Sequence, residues 1–167
     1  MLFFTYLDSP VGRLKVVADD ARLVAVLWEN EAPQRVRLGE MMHVAAHPVL
    51  IKTCEQLKAY FEGTLTAFDV PLGLAGTDFQ KAVWAALLTI PYGETWSYAT
   101  LAKQVGRPAA VRAVGAANGK NPLSILVPCH RVIGSNGALT GFAGGMAAKA
   151  YLLNLENAAH RRQTGVL

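Results

Sequence analysis

The sequence predicts an α+β fold with an N-terminal lobe of strands and one helix, followed by a mostly helical C-terminal lobe. Three observations support this: β-rich runs near the start of the chain, an apolar stripe with helical spacing after them, and helix-capping signals from Thr77 onward. With 167 residues, 52% of them apolar, the chain can form one domain or two small ones. We place the boundary in the Pro- and Gly-containing stretch 68–77, which gives a lobe over residues 1–75 and a domain over residues 76–167.

The N-terminal lobe is predicted to begin as a β-meander. The runs LFFTYL, RLKVVA and RLVAVLWE are rich in strand-forming residues, and the segments DSPVG and DDA between them carry turn residues. Residues 29–47 are polar and irregular, and we predict a loop there. The sheet therefore contains at least these strands.

An amphipathic helix is predicted from Val49 to Phe61. Its apolar residues Leu50, Cys54 and Leu57 recur with Phe61 on one helical face. This spacing places Cys54 on the buried face as a small apolar side chain, the common role of a free cysteine.

The C-terminal lobe opens with a capped helix. Thr77 can cap its first turn while Gln80 reaches back to the cap, which is the capping-box pattern. Phe79, Val83 and Leu87 then share one apolar face, and the segment IPYG ends the helix.

Two short helices follow. The first is capped by Ser97 and runs to Val105, GRP forms a turn, and the second begins near Pro108. Helices joined by such a turn are typical of a helix-turn-helix, although packed helix pairs without any nucleic acid share the pattern. The net charge of +4 and a group of nearby basic residues permit DNA binding without establishing it; these are Lys103, Arg107, Arg112 and Lys120.

The second helix, AAVRAVGAANG, has an unusual composition for a DNA-reading helix. Arg112 is its one charge, whereas readout in the major groove needs several side chains that reach base edges. Small residues instead allow close approach to a groove, where one arginine can insert into the duplex. From the residues alone, a surface arginine on an alanine-rich core helix is the simpler interpretation.

Cysteine usage indicates a reducing compartment. Cys54 and Cys129 are too few for a disulfide scaffold, and we see neither a signal peptide nor an apolar run long enough for a membrane span. We therefore expect a cytoplasmic protein without a membrane partner. The pair Arg161 and Arg162 is interpreted as a solvated tail.

The segment SILVPCHRVIG places Cys129 beside His130 and Arg131, at the end of an apolar run that we interpret as a strand. Adjacent side chains on an extended chain point to opposite faces, so direct contact between Cys129 and His130 is not needed if a water molecule relays the proton between them. A histidine base is best oriented by a carboxylate, and Glu156 is the only acidic residue after Glu94.

A buried structural cysteine is the commoner explanation of such a pattern and remains open at this point. A metal site is not indicated, because no second cysteine or histidine stands at ligand spacing near Cys129, and His43 and His47 lack a third ligand.

The stretch from residue 76 to 156 closely resembles the O6-alkylguanine-DNA alkyltransferases, including PCHRV, the NP before it and the GG after it. The N-terminal lobe resembles, in pattern more than in letters, the ribonuclease-H-like lobe of that family. The resemblance implies a winged-helix-like C-terminal lobe with a helix-turn-helix and an active-site cysteine. It also implies irreversible, stoichiometric transfer of an alkyl group from O6-alkylguanine, and from O4-alkylthymine, to the protein itself.

The resemblance assigns catalytic roles by position. Cys129 matches the nucleophile, His130 the water-linked histidine and Glu156 the carboxylate behind it. Asn121 matches an asparagine that bonds backbone near the cysteine. Tyr98 matches a phenol that donates to the departing guanine and crowds the target phosphate.

Further roles concern DNA and the base pocket. Arg112 matches the finger that replaces a base flipped from the minor groove, and this implication overturns the surface-charge interpretation. The DNA-contacting set is completed by Ser97, Tyr98, Ala113, Ala116 and Ala117. The pocket would be lined by Pro128, Phe142, the backbone carbonyls of Cys129 and Val132, and the amide of Ala143.

Two residues depart from the family pattern. Phe142 stands where many members have tyrosine, so an aromatic wall remains without its hydroxyl, and Trp96 is interpreted as a packing residue. The zinc ligands of some relatives are lacking, so we expect no metal and no cofactor. The expected partner is double-stranded DNA containing O6-alkylguanine, bound by a monomer.

Three alternatives to alkyl transfer stay open. The first is a protein of the same fold that binds the lesion without chemistry, although such relatives replace the cysteine with tryptophan. The second is a Cys–His hydrolase, which would leave Arg112 and the helix-turn-helix unused. The third is a purely structural DNA-binding protein.

Overall fold

The structure is a computed structural model and describes the backbone of residues 1–164 and the side chains of residues 1–157. Arg161 and Arg162, interpreted above as a tail, lie outside the side chains described. The elements follow in the order β1 Leu2–Ser9, β2 Gly12–Ala18, β3 Leu23–Leu27, β4 Met41–His43, α1 Pro48–Phe61, α2 Asp78–Leu87, β5 Trp96–Ser97, α3 Tyr98–Gln104, α4 Val111–Gly119, a 3₁₀ turn Cys129–Arg131, β6 Val132–Ile133 and α5 Met146–Thr164.

The N-terminal half forms a four-stranded sheet in the order β3-β2-β1-β4. β1 to β3 form the predicted antiparallel meander, and the core-facing Leu14 and Val16 of β2 are fully buried. The loop prediction for residues 29–47 is wrong at β4, which pairs in parallel with β1, Leu2 opposite Met41. Three residues are too short to show a strand pattern, and β4 forms because the edge of β1 offers it hydrogen bonds.

The outer edge of β3 connects the sheet to the rest of the chain. The amide of Leu23 donates to the carbonyl of Pro71 at 2.8 Å, and the amide of Val26 donates to the carbonyl of Pro122 at 2.9 Å. The segment that leads to Cys129 is therefore anchored on the N-terminal sheet.

Helix α1 spans Pro48–Phe61, one residue longer than predicted, and buries Leu50 and Leu57. Cys54 packs against the core on the predicted face, but its side chain is only half-buried. Thr53 takes the fully buried position instead, and its hydroxyl satisfies itself by donating to the carbonyl of Val49 at 2.7 Å.

The capping box of α2 is confirmed, with both the Thr77 and Gln80 side chains bonded to backbone amides. Val83 and Leu87 are buried as predicted, whereas Phe79 is only half-buried. Trp84 is the largest buried side chain of this helix, and its indole donates to the carbonyl of Ala117 at 2.9 Å. This bond fixes α2 against α4.

Helix α3 is confirmed, with Ser97 as its cap. The predicted start of the next helix near Pro108 is wrong, because α4 begins at Val111. Pro108 lies in a separate turn, which is closed by the amide of Ala110 donating to the carbonyl of Arg107 at 2.9 Å.

The segment around Cys129 is not the predicted strand end. Cys129–Arg131 form a 3₁₀ turn, so the side chains of Cys129 and His130 do not alternate as on a strand. β6 then pairs in parallel with β5, Trp96 opposite Val132. Within residues 1–164, no helix combines the length and apolarity that crossing a membrane requires.

Candidate active site

Cys129 begins the 3₁₀ turn and is 5% exposed. Before it, the chain makes a tight turn that puts Ile125 at φ +77°, a strained conformation for a β-branched residue. The side chain of Asn121 holds this turn from both sides: its amide donates to the carbonyl of Val127 at 2.8 Å, and its oxygen accepts from the amide of Leu123 at 2.9 Å. The position of the thiol therefore depends on Asn121.

Burial raises the pKa of the Cys129 thiol above its ordinary value. A hydrogen bond with Asn121 and the charges of Arg35 and Lys149 act in the opposite direction without cancelling the effect of burial. The thiol is consequently protonated in this state, and chemistry at its sulfur requires a base.

Glu156 of α5 lies beside the Cys129 turn and is fully hydrogen-bonded. Its Oε2 is 2.6 Å from His130 Nε2 and accepts from the Tyr60 hydroxyl at 2.6 Å. Arg131 donates to Oε1 at 2.7 Å and to Oε2 at 3.1 Å. Helix α5 thus packs back onto the Cys129 turn. Glu156 can act as the carboxylate that orients His130 only in such an arrangement.

The charge states of this cluster follow from its contacts. Burial alone would raise the pKa of the Glu156 carboxyl, but hydrogen bonds from His130 and Arg131 and the Arg131 charge hold it at about 2. Burial lowers the pKa of His130, although Glu156 acts against this. A neutral His130 that donates from Nε2 to the carboxylate keeps Nδ1 as an acceptor. Nδ1 is buried and has no hydrogen-bond partner in the described part of the chain.

Lys149, also on α5, is fully buried near the thiol. Its ammonium donates to the carbonyl of Val132 at 2.7 Å and lies 5.9 Å from the centre of the Phe142 ring. Burial lowers the pKa of Lys149, while the Cys129 thiolate would raise it. The carbonyl of Cys129 similarly accepts from the amide of Val132. Both carbonyls expected to line the base pocket therefore already accept a hydrogen bond from the protein.

The predicted pocket residues do not share one cavity. Phe142 and Ala143 line a cavity of about 260 Å³ together with Trp28. Pro128 is buried and lines a different cavity, of about 310 Å³, with Phe68 and Tyr92. Pro128 and Phe142 therefore line different cavities.

Tyr98 connects the helix pair to this loop. Its hydroxyl is 2.7 Å from the Thr140 hydroxyl, and either group can be the donor. A side chain added at Gly115 would begin 3.6 Å from the Tyr98 ring. The phenol thus lies between α4 and the loop that ends at Phe142.

The predicted DNA-contacting residues of α4 divide into two groups. Arg112, Ala113 and Ala116 are exposed, but Ala117 is 3% exposed and belongs to the core, so its assignment to DNA contact is wrong. Ala117 is covered because its turn of α4 packs on Trp84. The four basic residues of the helix pair are exposed; they are Lys103, Arg107, Arg112 and Lys120.

Ser97 and Trp96 precede this helix pair. The Ser97 hydroxyl caps α3 by accepting from the amide of Thr100 at 3.1 Å. Trp96 is half-buried and packs on the core, as predicted.

The N-terminal lobe supplies residues to this region that the sequence patterns did not show. Arg35 donates to the carbonyl of Asn121 at 2.7 Å and to that of Gly119 at 3.2 Å, and Glu31 pairs with its guanidinium at 2.8 Å. Tyr60 bonds Glu156. The periodicity of α1 indicated that the Tyr60 position was helical, but nothing in the local sequence indicated a partner 96 residues away.

No group of three or more histidine, cysteine, aspartate or glutamate side chains that could hold a metal occurs among the residues described.

Two family models cover most of the chain. Residues 2–74 match the ribonuclease-like domain of the 6-O-methylguanine DNA methyltransferases, and residues 78–158 match their DNA-binding domain. The chain has a mixed α+β fold with an N-terminal sheet and a helical C-terminal part, and it belongs to the 6-O-methylguanine DNA methyltransferase family.

Individual relatives are similar over nearly their whole length. The methylated-DNA–protein-cysteine methyltransferase of Methanosarcina barkeri is 56% identical over 155 residues, covering 93% of this chain and 97% of the relative. The enzyme of that name from Mycobacterium tuberculosis is 49% identical over 159 residues, with 93% of each chain covered. The crystal structure of Mycobacterium tuberculosis OGT in complex with DNA superimposes with a TM-score of 0.87 at 46% identity, covering 94% of each chain.

Proposed function

We propose that this protein repairs alkylated DNA directly, by transferring the alkyl group of O6-alkylguanine irreversibly to the sulfur of Cys129. The observation that carries the proposal is the arrangement of Cys129 next to His130, whose other nitrogen is bonded to the ionised Glu156, in a chain of this family. O4-alkylthymine is the second substrate of the same reaction.

The thiol must first lose its proton. A water molecule relays this proton from Cys129 to Nδ1 of His130, the buried acceptor that has no partner among the residues described. Glu156 orients the imidazole and stabilises the imidazolium that forms. The raised pKa of the thiol is the reason that this base is needed.

The thiolate then displaces the base in one step. A lone pair of Sγ forms a bond to the alkyl carbon, the bond between that carbon and O6 breaks, and its electron pair stays on the guanine. The Tyr98 hydroxyl donates a hydrogen bond to the guanine as negative charge develops on it. The guanine anion then takes up a proton, and the imidazolium of His130 gives back through water the proton that it received from the thiol. The products are therefore an S-alkylcysteine, an unmodified guanine and a neutral His130.

The target base must leave the duplex to reach a thiol that is 5% exposed. The pair α3–α4 acts as a helix-turn-helix in a winged-helix-like domain, and the exposed Ala113 and Ala116 let α4 approach the minor groove. Arg112 fills the place of the flipped nucleotide. The ribonuclease-H-like lobe over residues 1–75 and the domain over residues 76–167 complete the proposed architecture.

The remaining properties follow from this chemistry. A thioether is not hydrolysed under physiological conditions, so each protein molecule reacts once and needs no cofactor. A monomer suffices, since all reacting groups come from one chain, and a reducing compartment such as the cytoplasm keeps the thiol available.

A second function, lesion binding without transfer, fits one observation: Cys129 is buried and the pKa of its thiol is raised. Excess duplex containing O6-methylguanine separates the two functions. Direct repair produces guanine until one equivalent per protein has formed and then stops. A binding protein produces none, and continued product formation would contradict the single-turnover mechanism.

A further inference from the structure

Trp28 lies just beyond the end of β3 and is 5% exposed. Val26, two residues before Trp28, donates its amide hydrogen bond to the carbonyl of Pro122. Trp28 therefore lies beside the segment that leads to Cys129. The backbone amide of Trp28 donates to Glu31 Oε1 at 2.9 Å, and Glu31 is held in turn by Arg35. The indole is thus mounted on a fixed segment of the N-terminal lobe.

The indole contacts two segments that are expected to line the base pocket: the turn before Cys129 and the loop that carries Phe142. On the Cys129 side, its Nε1 donates to the hydroxyl of the buried Ser124 at 3.0 Å. On the other side, it packs edge-on against Phe142, with the ring centroids 5.3 Å apart. Ser124 belongs to the turn held by Asn121, so one side chain bridges the segment that positions the thiol and the loop that carries the aromatic wall.

Gly144 shows how closely the loop follows the indole. A side chain added there would place its first carbon 2.6 Å from Trp28 Cδ2, too close for any real contact. The loop can follow this path only because residue 144 has no side chain.

A cavity lies beside the indole. The cavity of about 260 Å³ lies between the hairpin turn at Val11 and Gly12 and the loop residues Phe142–Gly145, and Trp28 forms part of its lining. Removing the indole would extend this cavity beneath the loop, which would leave Phe142 without its edge-on partner.

From these contacts we propose that Trp28 is a positioning residue: it sets the distance between the Cys129 side and the Phe142 side of the base pocket and thereby limits the size of the alkyl group that is transferred. The inference rests on the proposed function. Trp28 touches none of the reacting atoms; it acts through Ser124, Phe142 and Gly144.

The test measures single-turnover transfer from free O6-methylguanine and free O6-benzylguanine, with the limiting rate and the half-saturating concentration determined for each. Trp28→Ala is expected to slow methyl transfer about tenfold or more, because small displacements of a positioned reactant cost rate steeply. Benzyl transfer should fall less, so that the ratio of methyl to benzyl rates drops roughly tenfold, within the range by which apolar pockets discriminate groups of different size.

Two further variants make the test specific. Trp28→Phe keeps a ring against Phe142 and Gly144 but loses the donor to Ser124, and it should restore most of the methyl-to-benzyl ratio. Gly144→Ala should be impaired when Trp28 is present. In the double variant Trp28→Ala/Gly144→Ala, the methyl group introduced at position 144 no longer meets an indole ring. The fold-loss in its transfer rate should therefore be smaller than the product of the fold-losses of the two single variants.

Leu50→Ala is the control for a general loss of core packing, since Leu50 is fully buried in the first turn of α1. It should lower the melting temperature and leave the methyl-to-benzyl ratio unchanged. If the wild-type protein transfers both groups and the ratio of every Trp28 variant equals that of Leu50→Ala, the positioning role is wrong. If the wild-type protein transfers neither group, the proposed function fails and this inference fails with it.

Discussion

The phenol oxygen of Tyr60 and the Nε2 atom of His130 bond the same atom, Oε2 of Glu156, each at 2.6 Å. Tyr60 comes from α1 in the N-terminal half and His130 from the turn that carries Cys129. Burial and the neighbouring Glu156 raise the pKa of Tyr60 far above its ordinary value, so the phenol stays protonated and donates a hydrogen bond to the carboxylate. The N-terminal lobe therefore helps to fix the group that orients the histidine.

The ionised Glu156 makes the stability of the fold dependent on acid. Its pKa is about 2 in the folded chain against an ordinary 4.5, so its contribution is complete above pH 4.5 and is lost as the pH falls through 2. This shift corresponds to about 3 kcal/mol of unfolding free energy. Denaturant unfolding of wild type and of Glu156→Gln at pH 5 and pH 2 should show this extra loss in wild type alone.

Glu156→Gln leaves Arg131 buried without a counter-charge, which can cost several kcal/mol at neutral pH. A direct titration of the Glu156 carboxyl by NMR in the wild-type protein therefore accompanies the unfolding experiment. A carboxyl that titrates near its ordinary pKa would contradict the hydrogen-bonded cluster described here.

Tyr98→Phe tests the proposed donor to the departing guanine. Removing one donor aimed at a developing anion should slow transfer roughly 10²-fold, from free base and duplex alike. Single-turnover rates at saturating substrate give this value.

Thr140→Val is the matched control, because it removes the partner of the Tyr98 hydroxyl and keeps the phenol. It should reduce the rate far less than Tyr98→Phe. Equal losses in the two variants would mean that the Tyr98–Thr140 contact supports the loop and that the phenol does not act on the leaving group.

Arg112→Ala tests base flipping. Arg112 is exposed on α4, and the proposed mechanism uses it in duplex DNA alone. Transfer from an O6-methylguanine duplex should slow markedly while transfer from the free base stays near the wild-type rate. The same loss with both substrates would indicate a structural role. Lys103→Ala removes another exposed charge of the helix pair. It should weaken duplex binding and make the affinity less dependent on salt, without slowing the transfer step on duplex DNA as Arg112→Ala does.

Local signals in the sequence predicted much of the fold. Thr77 and Gln80 carry their capping geometry in their own spacing, and Ser97 marks the start of α3. The β-meander likewise follows from apolar runs and turn residues. The start of α4 was missed because Pro108, a common first helical residue, lies here in a separate turn before Val111.

The site was predictable where it is contiguous in sequence or matched by the family pattern, as for Cys129 and His130. The bonds of Arg35 to Asn121 and of Trp28 to Ser124 join residues 86 and 96 positions apart. Such contacts depend on how β3 pairs with the segment before Cys129, and no local pattern records that pairing. Ala117 was misassigned because alanine suits a helix core and a close DNA contact equally well.

The most direct test of the central claim is the intact mass of the protein after reaction with an O6-methylguanine duplex, followed by peptide mapping. We expect the wild-type protein to gain one methyl group per molecule, located on the peptide that contains Cys129. Cys129→Ser should gain none and should still bind the duplex. An unchanged wild-type mass despite tight lesion binding, or a methyl group on any other residue, would contradict this claim.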